Sequence, residues 1–365
     1  MPDALLVLAD GTSYPGNSVG APGFTDGEVV FNTSMTGYQE MLTDPSYAGQ
    51  ILVLTYPLIG NYGINERVEE SAQIQPAGLV VREAALRPSH LLSQSPLREF
   101  LKSRGVVAID GIDTRAVTRR IRISGVMPGT ITTTESAAEA TERLRAFAGY
   151  DDVNWVDTVT TDHVFDWNTP SGEGRHKIAL LDGGVKRNIM RSLEARGCSV
   201  RVFPSNTPAE DLLALNPDGI VLSPGPGDPR LLDAMVGEVA KLIGKAPILG
   251  ICLGHQVAAR ALGAGTFKLP FGHRGGNHPV QDLATGKVTI TAQNHGYAVD
   301  PDGLNSAAYV SHINLNDQTV EGIALRHEPL MTIQYHSEAC PGPLDNAYIF
   351  DRFVEMMATV RGGVR

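Results

Sequence analysis

Short apolar runs alternate with amphipathic stretches between residues 177 and 262. The apolar runs predict buried strands, and the stretches between them have the spacing of helices. Strands that alternate with helices indicate βαβ units, and therefore a parallel sheet with helices on both faces. The predicted strands are 177–182, 198–203, 219–223 and 246–251, and the predicted helices are 185–197, 209–215, 231–244 and 255–262.

Beyond residue 286 the apolar residues recur at every second position, which is the period of a strand with one buried face. We therefore expect added strands at the edge of the same sheet, followed by a closing amphipathic helix. The strands are predicted at 287–294, 307–315, 320–327 and 330–336, and the helix at 345–360.

The first 150 residues predict a mixed α/β domain without regular alternation. A basic segment within it is interpreted as a solvated helix face, and contact with a partner is the alternative. That segment contains Arg115, Arg119, Arg120 and Arg122. Strands are predicted at 4–10, 27–33, 49–57 and 77–83, and helices at 95–105 and 113–125.

A polar stretch, residues 151–174, separates the two halves and contains both tryptophans, Trp155 and Trp167. It ends in a segment rich in Pro, Ser and Gly, which is typical of an interdomain linker. The predicted organisation is an N-terminal domain at 1–150, this linker, and a C-terminal domain at 175–365.

The amino-acid composition excludes several classes of protein. Hydrophobic residues make up 42% of the 365 positions, enough for a buried core, and the net charge of −10 argues against a nucleic-acid partner. The first 50 residues lack Lys and Arg, and no apolar run is long enough for a membrane span, so we expect a cytoplasmic protein. The three cysteines are too few for a disulfide framework, so each is a candidate reactive thiol: Cys198, Cys252 and Cys340.

Residues 250–254, Gly-Ile-Cys-Leu-Gly, lie between a predicted strand and a predicted helix. This pattern is typical of a sharp elbow that carries a nucleophile, with glycine where larger side chains would collide. Cys252 would lie at a helix N-terminus, where the helix dipole and a cationic imidazole favour the thiolate. A buried structural cysteine is the alternative.

A thiol nucleophile needs a base, and the base needs an orienting group. His336 and Glu338 follow a predicted strand, and residues two apart in extended chain point to the same side. Glu338 is therefore expected to hold one ring nitrogen while the other faces Cys252. A surface histidine beside a solvated glutamate is the alternative.

The turn at 223–229, Ser-Pro-Gly-Pro-Gly-Asp-Pro, also follows a predicted strand. Its backbone N–H groups, with that of Leu253, are candidate donors to a developing oxyanion. It lacks the Lys-Ser/Thr of a phosphate-binding loop, and a structural turn is the alternative.

The remaining histidines do not have the spacing of a metal site, so we expect no catalytic metal. His273 and His278 are interpreted as hydrogen-bonding loop residues, and His295 as a pocket residue beside Asn294. His255 directly follows the elbow. Cys340 is expected to be a buried, inert thiol.

These motifs resemble those of class I glutamine amidotransferases. More specifically, nearly the whole chain resembles the family of small, glutamine-hydrolysing chains of carbamoyl-phosphate synthase. The segments that carry this resemblance are 32–47, 54–63, 111–122, 271–280, 293–299 and 336–343. The resemblance implies a class I amidotransferase domain at 175–365, with a parallel sheet, a mixed edge and flanking helices, beside a family-specific N-terminal α/β domain.

The resemblance also implies residue roles. Cys252 would attack the side-chain amide of L-glutamine, and the N–H groups of Leu253 and Gly225 would hold the oxyanion. His336, oriented by Glu338, would protonate the departing ammonia and activate water against the thioester. The implied L-glutamine pocket consists of Ser46, Gly225, Gly227, Leu253, Gln256, Asn294, Gly296 and Tyr297.

A large synthase chain is the implied partner, in a heterodimer. It would bind ATP and Mg²⁺ and make carbamoyl phosphate from bicarbonate and ammonia, for arginine and pyrimidine biosynthesis. This chain would hold no cofactor, and no nucleotide loop is recognisable in it. Three positions depart from the usual family residues without touching the catalytic ones: Pro224, Ser337 and Cys340. A stand-alone cysteine hydrolase and a non-catalytic regulatory subunit stay open as alternatives.

Overall fold

The computed structural model describes residues 3–168 and 176–363. The chain forms two compact units, Met1–Val153 and Asn154–Arg365. The Pro- and Gly-rich end of the expected linker, 169–174, lies outside the described residues. Within the described ranges, no helix has both the length and the apolar character needed to cross a membrane.

The first unit is built around a closed barrel whose strands follow the order β1-β2-β8-β6-β4-β3-β9. Its neighbouring strands β3, β4, β6 and β8 run parallel, and the other pairs are antiparallel. The strands of this unit are β1 (Ala4–Leu8), β2 (Ser13–Ser18), β3 (Phe24–Asn32), β4 (Gln50–Leu54), β5 (Leu58–Ile59), β6 (Gly78–Val80), β7 (Glu83–Ala84), β8 (Val107–Asp110) and β9 (Met127–Thr132). The helices are α1 (Tyr38–Leu42), α2 (Leu97–Ser103), α3 (Thr114–Ser124) and α4 (Ala137–Leu144), with 3-10 turns at Pro45–Tyr47, Glu66–Val68 and Tyr150–Asp152.

Closure of this barrel does not follow from the apolar pattern. Only one of the six residues of the strand β2 is buried, and the strand contains a Pro and a Gly, so it lacks the alternation that predicts a strand. By contrast, β4 is buried at every position and is the kind of apolar run that identifies a strand covered on both faces.

The second unit contains a ten-stranded sheet in the order β10-β12-β11-β13-β14-β19-β18-β16-β15-β17. The strands from β12 to β19 in this order are parallel, and those beyond β19 are antiparallel. The strands are β10 (Phe165–Asp166), β11 (His176–Asp182), β12 (Cys198–Pro204), β13 (Gly219–Leu222), β14 (Ile248–Ile251), β15 (Gly265–Asp282), β16 (Val288–Asp300), β17 (Ala308–Asn314), β18 (Val320–Leu325) and β19 (Leu330–Ile333). The helices are α5 (Val156–Val159), α6 (Arg187–Glu194), α7 (Ala209–Ala214), α8 (Asp233–Leu242), α9 (Leu253–Ala261) and α10 (Tyr348–Gly363), with a 3-10 turn at Pro229–Leu231.

Successive residues of the central strands enter two different cores, one on each face of the sheet. Leu181 belongs to the core that includes α8 and α9, whereas Leu180 belongs to the core that includes α6 and α10. Two differences from the sequence-based expectation concern the strands after α9. The strand β15 was not predicted, because its centre is rich in Gly and His. The strand β19 was expected at the sheet edge, but it pairs with β14 inside the sheet.

Candidate active site

The chain turns sharply where β14 ends and α9 begins. Cys252 occupies this turn with φ 52° and ψ −105°, a conformation that non-glycine residues rarely adopt. A Cβ atom on Gly250 would lie 2.8 Å from the carbonyl oxygen of Gly254, and one on Gly254 would lie 2.2 Å from that of Leu222. Both glycines are therefore required by the close approach of backbone at this elbow.

Cys252 is only 2% exposed, and its thiol lies 3.7 Å from the carbonyl oxygen of Asn294. Its backbone N–H donates to Ile333 at 2.9 Å, so the pairing of β14 with β19 sets its position. The other two cysteines form no disulfide with the described residues: Cys198 is buried and Cys340 is half-buried. The expectation that Cys340 is buried is wrong, because this residue lies in the irregular segment after β19.

His336 follows β19 and is held by backbone and side-chain contacts. Its N–H donates to the carbonyl oxygen of Ala292 at 2.9 Å, and its Nδ1 lies 2.6 Å from Oε1 of Glu338. Burial alone would lower the pKa of His336, but the charges of Glu338 and Cys252 and the hydrogen bond to Glu338 raise it to about 10. The ring is therefore an imidazolium at neutral pH, flanked by the carboxylate and the thiol.

Lys186, just before α6, is a charged residue of this site that the sequence analysis missed. It is 2% exposed, and its Nζ lies 3.0 Å from Oε1 of Glu338 and 2.6 Å from the carbonyl oxygen of Ala339. Burial alone would raise the pKa of Glu338, but the charges of Lys186 and His336 lower it to about 2. A lone lysine after a strand is normally solvated, so no sequence pattern indicates this contact.

The turn after β13 packs against the elbow. Ser223 accepts a hydrogen bond from the N–H of Gly254 at 3.0 Å through its carbonyl oxygen. A Cβ atom on Gly225 would lie 2.1 Å from the carbonyl oxygen of Gly183 and 2.6 Å from Cδ2 of Leu253. Leu253 is the first residue of α9, so its N–H has no partner within the helix. The turn thus brings the backbone of Gly225 into contact with the start of α9.

The expected pocket residues of the second unit are mostly buried. The side-chain amide of Gln256 donates to the carbonyl oxygen of Tyr297 at 2.9 Å and to Gln334 at 3.0 Å, so it is engaged within the protein. Asn294 presents its carbonyl oxygen to the thiol of Cys252. The remaining two are Gly227, with φ 92°, and Gly296, which is half-buried.

Ser46, the expected pocket residue of the first unit, lies in the 3-10 turn after α1. Its N–H donates to the side chain of Asp44 at 2.9 Å. Its hydroxyl is buried and has no hydrogen-bond partner among the described residues. A buried hydroxyl without a partner is costly, which makes this atom a candidate ligand contact.

The histidines expected in a loop lie in regular structure. His273 and His278 belong to β15, where the backbone is extended and paired with β16. Candidate ligand atoms of the buried residues His273, His295 and Glu321 lie within 4.8 Å of one another. His273 also pairs with Asp317 at 2.8 Å, which favours a structural polar network. That this chain holds no metal stays a prediction.

Comparison with known proteins identifies the family. Residues 6–131 match the family described as carbamoyl-phosphate synthase small chain, CPSase domain, and residues 179–356 match class I glutamine amidotransferases. The chain is 48% identical over 369 residues to the carbamoyl phosphate synthase small chain of Syntrophotalea carbinolica, with 97% of each chain covered. It is 49% identical over 364 residues to that of Akkermansia muciniphila, again with 97% of each covered. Identity to that of Listeria monocytogenes is 50% over 359 residues, covering 98% of this chain and 97% of the other. The chain therefore belongs to the family of carbamoyl-phosphate synthase small chains, the glutamine-hydrolysing subunits of that synthase.

Proposed function

We propose that Cys252, His336 and Glu338 are the catalytic triad that hydrolyses L-glutamine in this chain. The observation that carries the proposal is the buried ring of His336, whose Nδ1 lies 2.6 Å from the carboxylate of Glu338 and whose Nε2 has no hydrogen-bond partner among the described residues. Both strands that present these groups, β14 and β19, end at the same edge of a parallel sheet. Sites of open α/β sheets form at this edge.

The reaction proceeds in two halves. The thiolate of Cys252 attacks the side-chain amide carbon of glutamine, and the N–H groups of Leu253 and Gly225 donate to the oxyanion of the tetrahedral intermediate. His336 gives its proton to the amide nitrogen, and the C–N bond breaks. Ammonia departs, and the glutamyl group remains bound to Cys252 as a thioester. The neutral ring then takes a proton from water, whose oxygen attacks the thioester carbon. The sulfur leaves, glutamate is released, and the imidazolium is restored.

Glu338 and Lys186 position the ring. The carboxylate keeps the Nδ1 proton of His336 in place, and Lys186 keeps this carboxylate ionised although it is buried. Lys186 is a positioning residue, because it contacts Glu338 and not the reacting atoms.

The proposed domains span 1–150 and 175–365 and are joined by the linker at 151–174. The unpartnered hydroxyl of Ser46 supports a role in binding glutamine. The other proposed pocket residues are Gly225, Gly227, Leu253, Gln256, Asn294, Gly296 and Tyr297.

The ammonia passes to a large synthase chain, which binds ATP and Mg²⁺ and uses bicarbonate to form carbamoyl phosphate for arginine and pyrimidine biosynthesis. Free ammonia is protonated in water and lost as a nucleophile, so association of the two chains serves the chemistry. We place the reaction in the cytoplasm, where a reducing environment keeps a nucleophilic thiol free. The low exposure of Cys252, 2%, supports weak hydrolysis by the isolated chain.

The test measures glutamine hydrolysis by the wild type, by Cys252→Ser and by the control Cys198→Ser, each with and without the large chain. We expect weak activity of the wild type alone, strong stimulation by the large chain with its substrates, and at least about a thousandfold loss in Cys252→Ser. Cys198→Ser should behave as the wild type, since that thiol is a buried core residue of β12. Wild-type turnover by Cys252→Ser rejects the triad, and full activity without a partner favours a stand-alone hydrolase.

A further inference from the structure

The carboxyl ends of four neighbouring parallel barrel strands converge on one open groove of about 470 Å³ in the first unit. Thr33 follows β3, Thr55 follows β4, Arg82 follows β6, and the helix α3 follows β8. We call this the arginine groove, and define it by Thr33, Thr55, Arg82, Arg115, Arg119 and Arg122. Ligand sites of parallel sheets form at the carboxyl ends of the strands, so its position makes the arginine groove a candidate site.

Three of the four arginines in the arginine groove are not neutralised locally. None of the residues that line it is acidic. The side chains of Arg82, Arg115 and Arg119 form no ion pair or hydrogen bond with the residues described in the structure. In the same unit, Arg98 pairs with Asp110 at 2.7 Å and Arg120 pairs with Asp10 at 2.6 Å. The unpaired arginines are therefore available to an external anion, although the whole chain carries a net charge of −10.

Large, exposed apolar side chains lie close in sequence to the residues that define the arginine groove. Met35 is 74% exposed, Ile123 is 81% exposed, and Tyr56 is 36% exposed. Met35 follows Thr33 by two positions, Tyr56 lies next to Thr55, and Ile123 directly follows Arg122. Arginine, methionine and aromatic residues are enriched at protein interfaces. A small inorganic anion would contact the arginines but not the apolar side chains, so this combination favours a protein partner.

We propose that the arginine groove docks an acidic segment of the large synthase chain, with carboxylates on Arg82, Arg115 and Arg119 and apolar contacts on Met35 and Ile123. This inference rests on the proposed function, because it names the surface by which that partner is held. Guanidinium groups bind carboxylates through two parallel hydrogen bonds, which gives both attraction and a defined orientation.

The experiment measures the dissociation constant between this chain and the large chain at several salt concentrations. The variants are Arg115→Ala/Arg119→Ala and the charge reversal Arg115→Glu/Arg119→Glu. The control is Arg120→Ala, on the same helix but paired with Asp10. We expect the double alanine variant to bind about tenfold to a hundredfold more weakly, the charge reversal to bind more weakly still, and the control to bind as the wild type. The salt dependence should flatten in both double variants.

Basal glutamine hydrolysis without the large chain separates the possible failures. It should be unchanged in every variant, and circular dichroism spectra that match the wild type show that α3 is folded. Wild-type affinity of the charge-reversed variant overturns the docking proposal and leaves the proposed function intact. The same holds if pyrophosphate binds the arginine groove of the wild type without competing with the large chain. Absence of both hydrolysis and binding in the wild type overturns the proposed function together with this inference.

Discussion

The two units use the same edge of a parallel sheet in opposite ways. In the second unit, the charged groups at the strand ends are sealed from water: Lys186 is 2% exposed, His336 3% and Glu338 1%. In the first unit, Arg115 and Arg119 lie at the corresponding edge of the barrel, and both are exposed and form no ion pair with the described residues. Buried charges must be paired within the protein, whereas exposed charges are solvated by water and can pair with another molecule.

This contrast separates two tasks of charged residues. The mutual contacts of Lys186, Glu338 and His336 hold each side chain in one geometry, as proton transfer requires. Exposed arginines add little to the stability of their own unit, but they retain their full capacity for hydrogen bonds to another molecule. Tests that treat both regions with the same substitution expose this difference directly.

The largest expected effect is on stability, when one cationic side chain in each unit is replaced by methionine. Lys186→Met leaves the buried carboxylate of Glu338 without its lysine, and we expect the free energy of unfolding to fall by about 3 kcal/mol. Arg119→Met should change it by less than about 0.5 kcal/mol, because that side chain is exposed and unpaired. Denaturant titration of both variants measures the two values. Equal losses would remove the distinction between the two regions.

The second test concerns the backbone donors at the proposed active site. Gly225→Ala forces the turn away from Gly183, since the new Cβ would lie 2.1 Å from that carbonyl oxygen. We expect kcat for glutamine hydrolysis to fall by about 10²–10³-fold, as when one oxyanion donor is lost. Gly237→Ala is the matched control, because a Cβ there meets no atom within 4 Å. Unchanged hydrolysis by Gly225→Ala would mean that the N–H of Gly225 does not donate to the oxyanion.

The third test concerns the pH dependence of stability. The pKa of His336 is raised from 6.5 to about 10 in the folded chain, so the folded state binds its proton more tightly than the unfolded state. This stabilisation is complete below pH 6.5 and is lost as the pH rises towards 10. His336→Asn should therefore show a flatter decline of the free energy of unfolding over this window. Parallel curves for the two proteins would mean that the folded chain does not raise this pKa.

The alternation of strands and helices located most elements of the second unit, including the strands β11 to β14. The strands β11, β13 and β14 contain continuous apolar runs, and β12 alternates buried with more exposed positions. The same reasoning failed for β15, which is rich in Gly and His, and for closure of the barrel, to which β2 contributes with only one buried residue. Pairing of such strands depends on distant neighbours and leaves little trace in the local apolar pattern.

The amino-acid sequence by itself determined the local features of the candidate site: an elbow with glycine at 250 and 254, a thiol at its apex, and a histidine two residues before a glutamate. These follow from sterics and spacing among residues a few positions apart. Only the tertiary structure decided that Lys186 reaches Ala339, which is 153 positions away, and that unpaired arginines collect at one end of the barrel. The physical reason is that burial and ion pairing are properties of contacts between distant segments, which local periodicity does not specify.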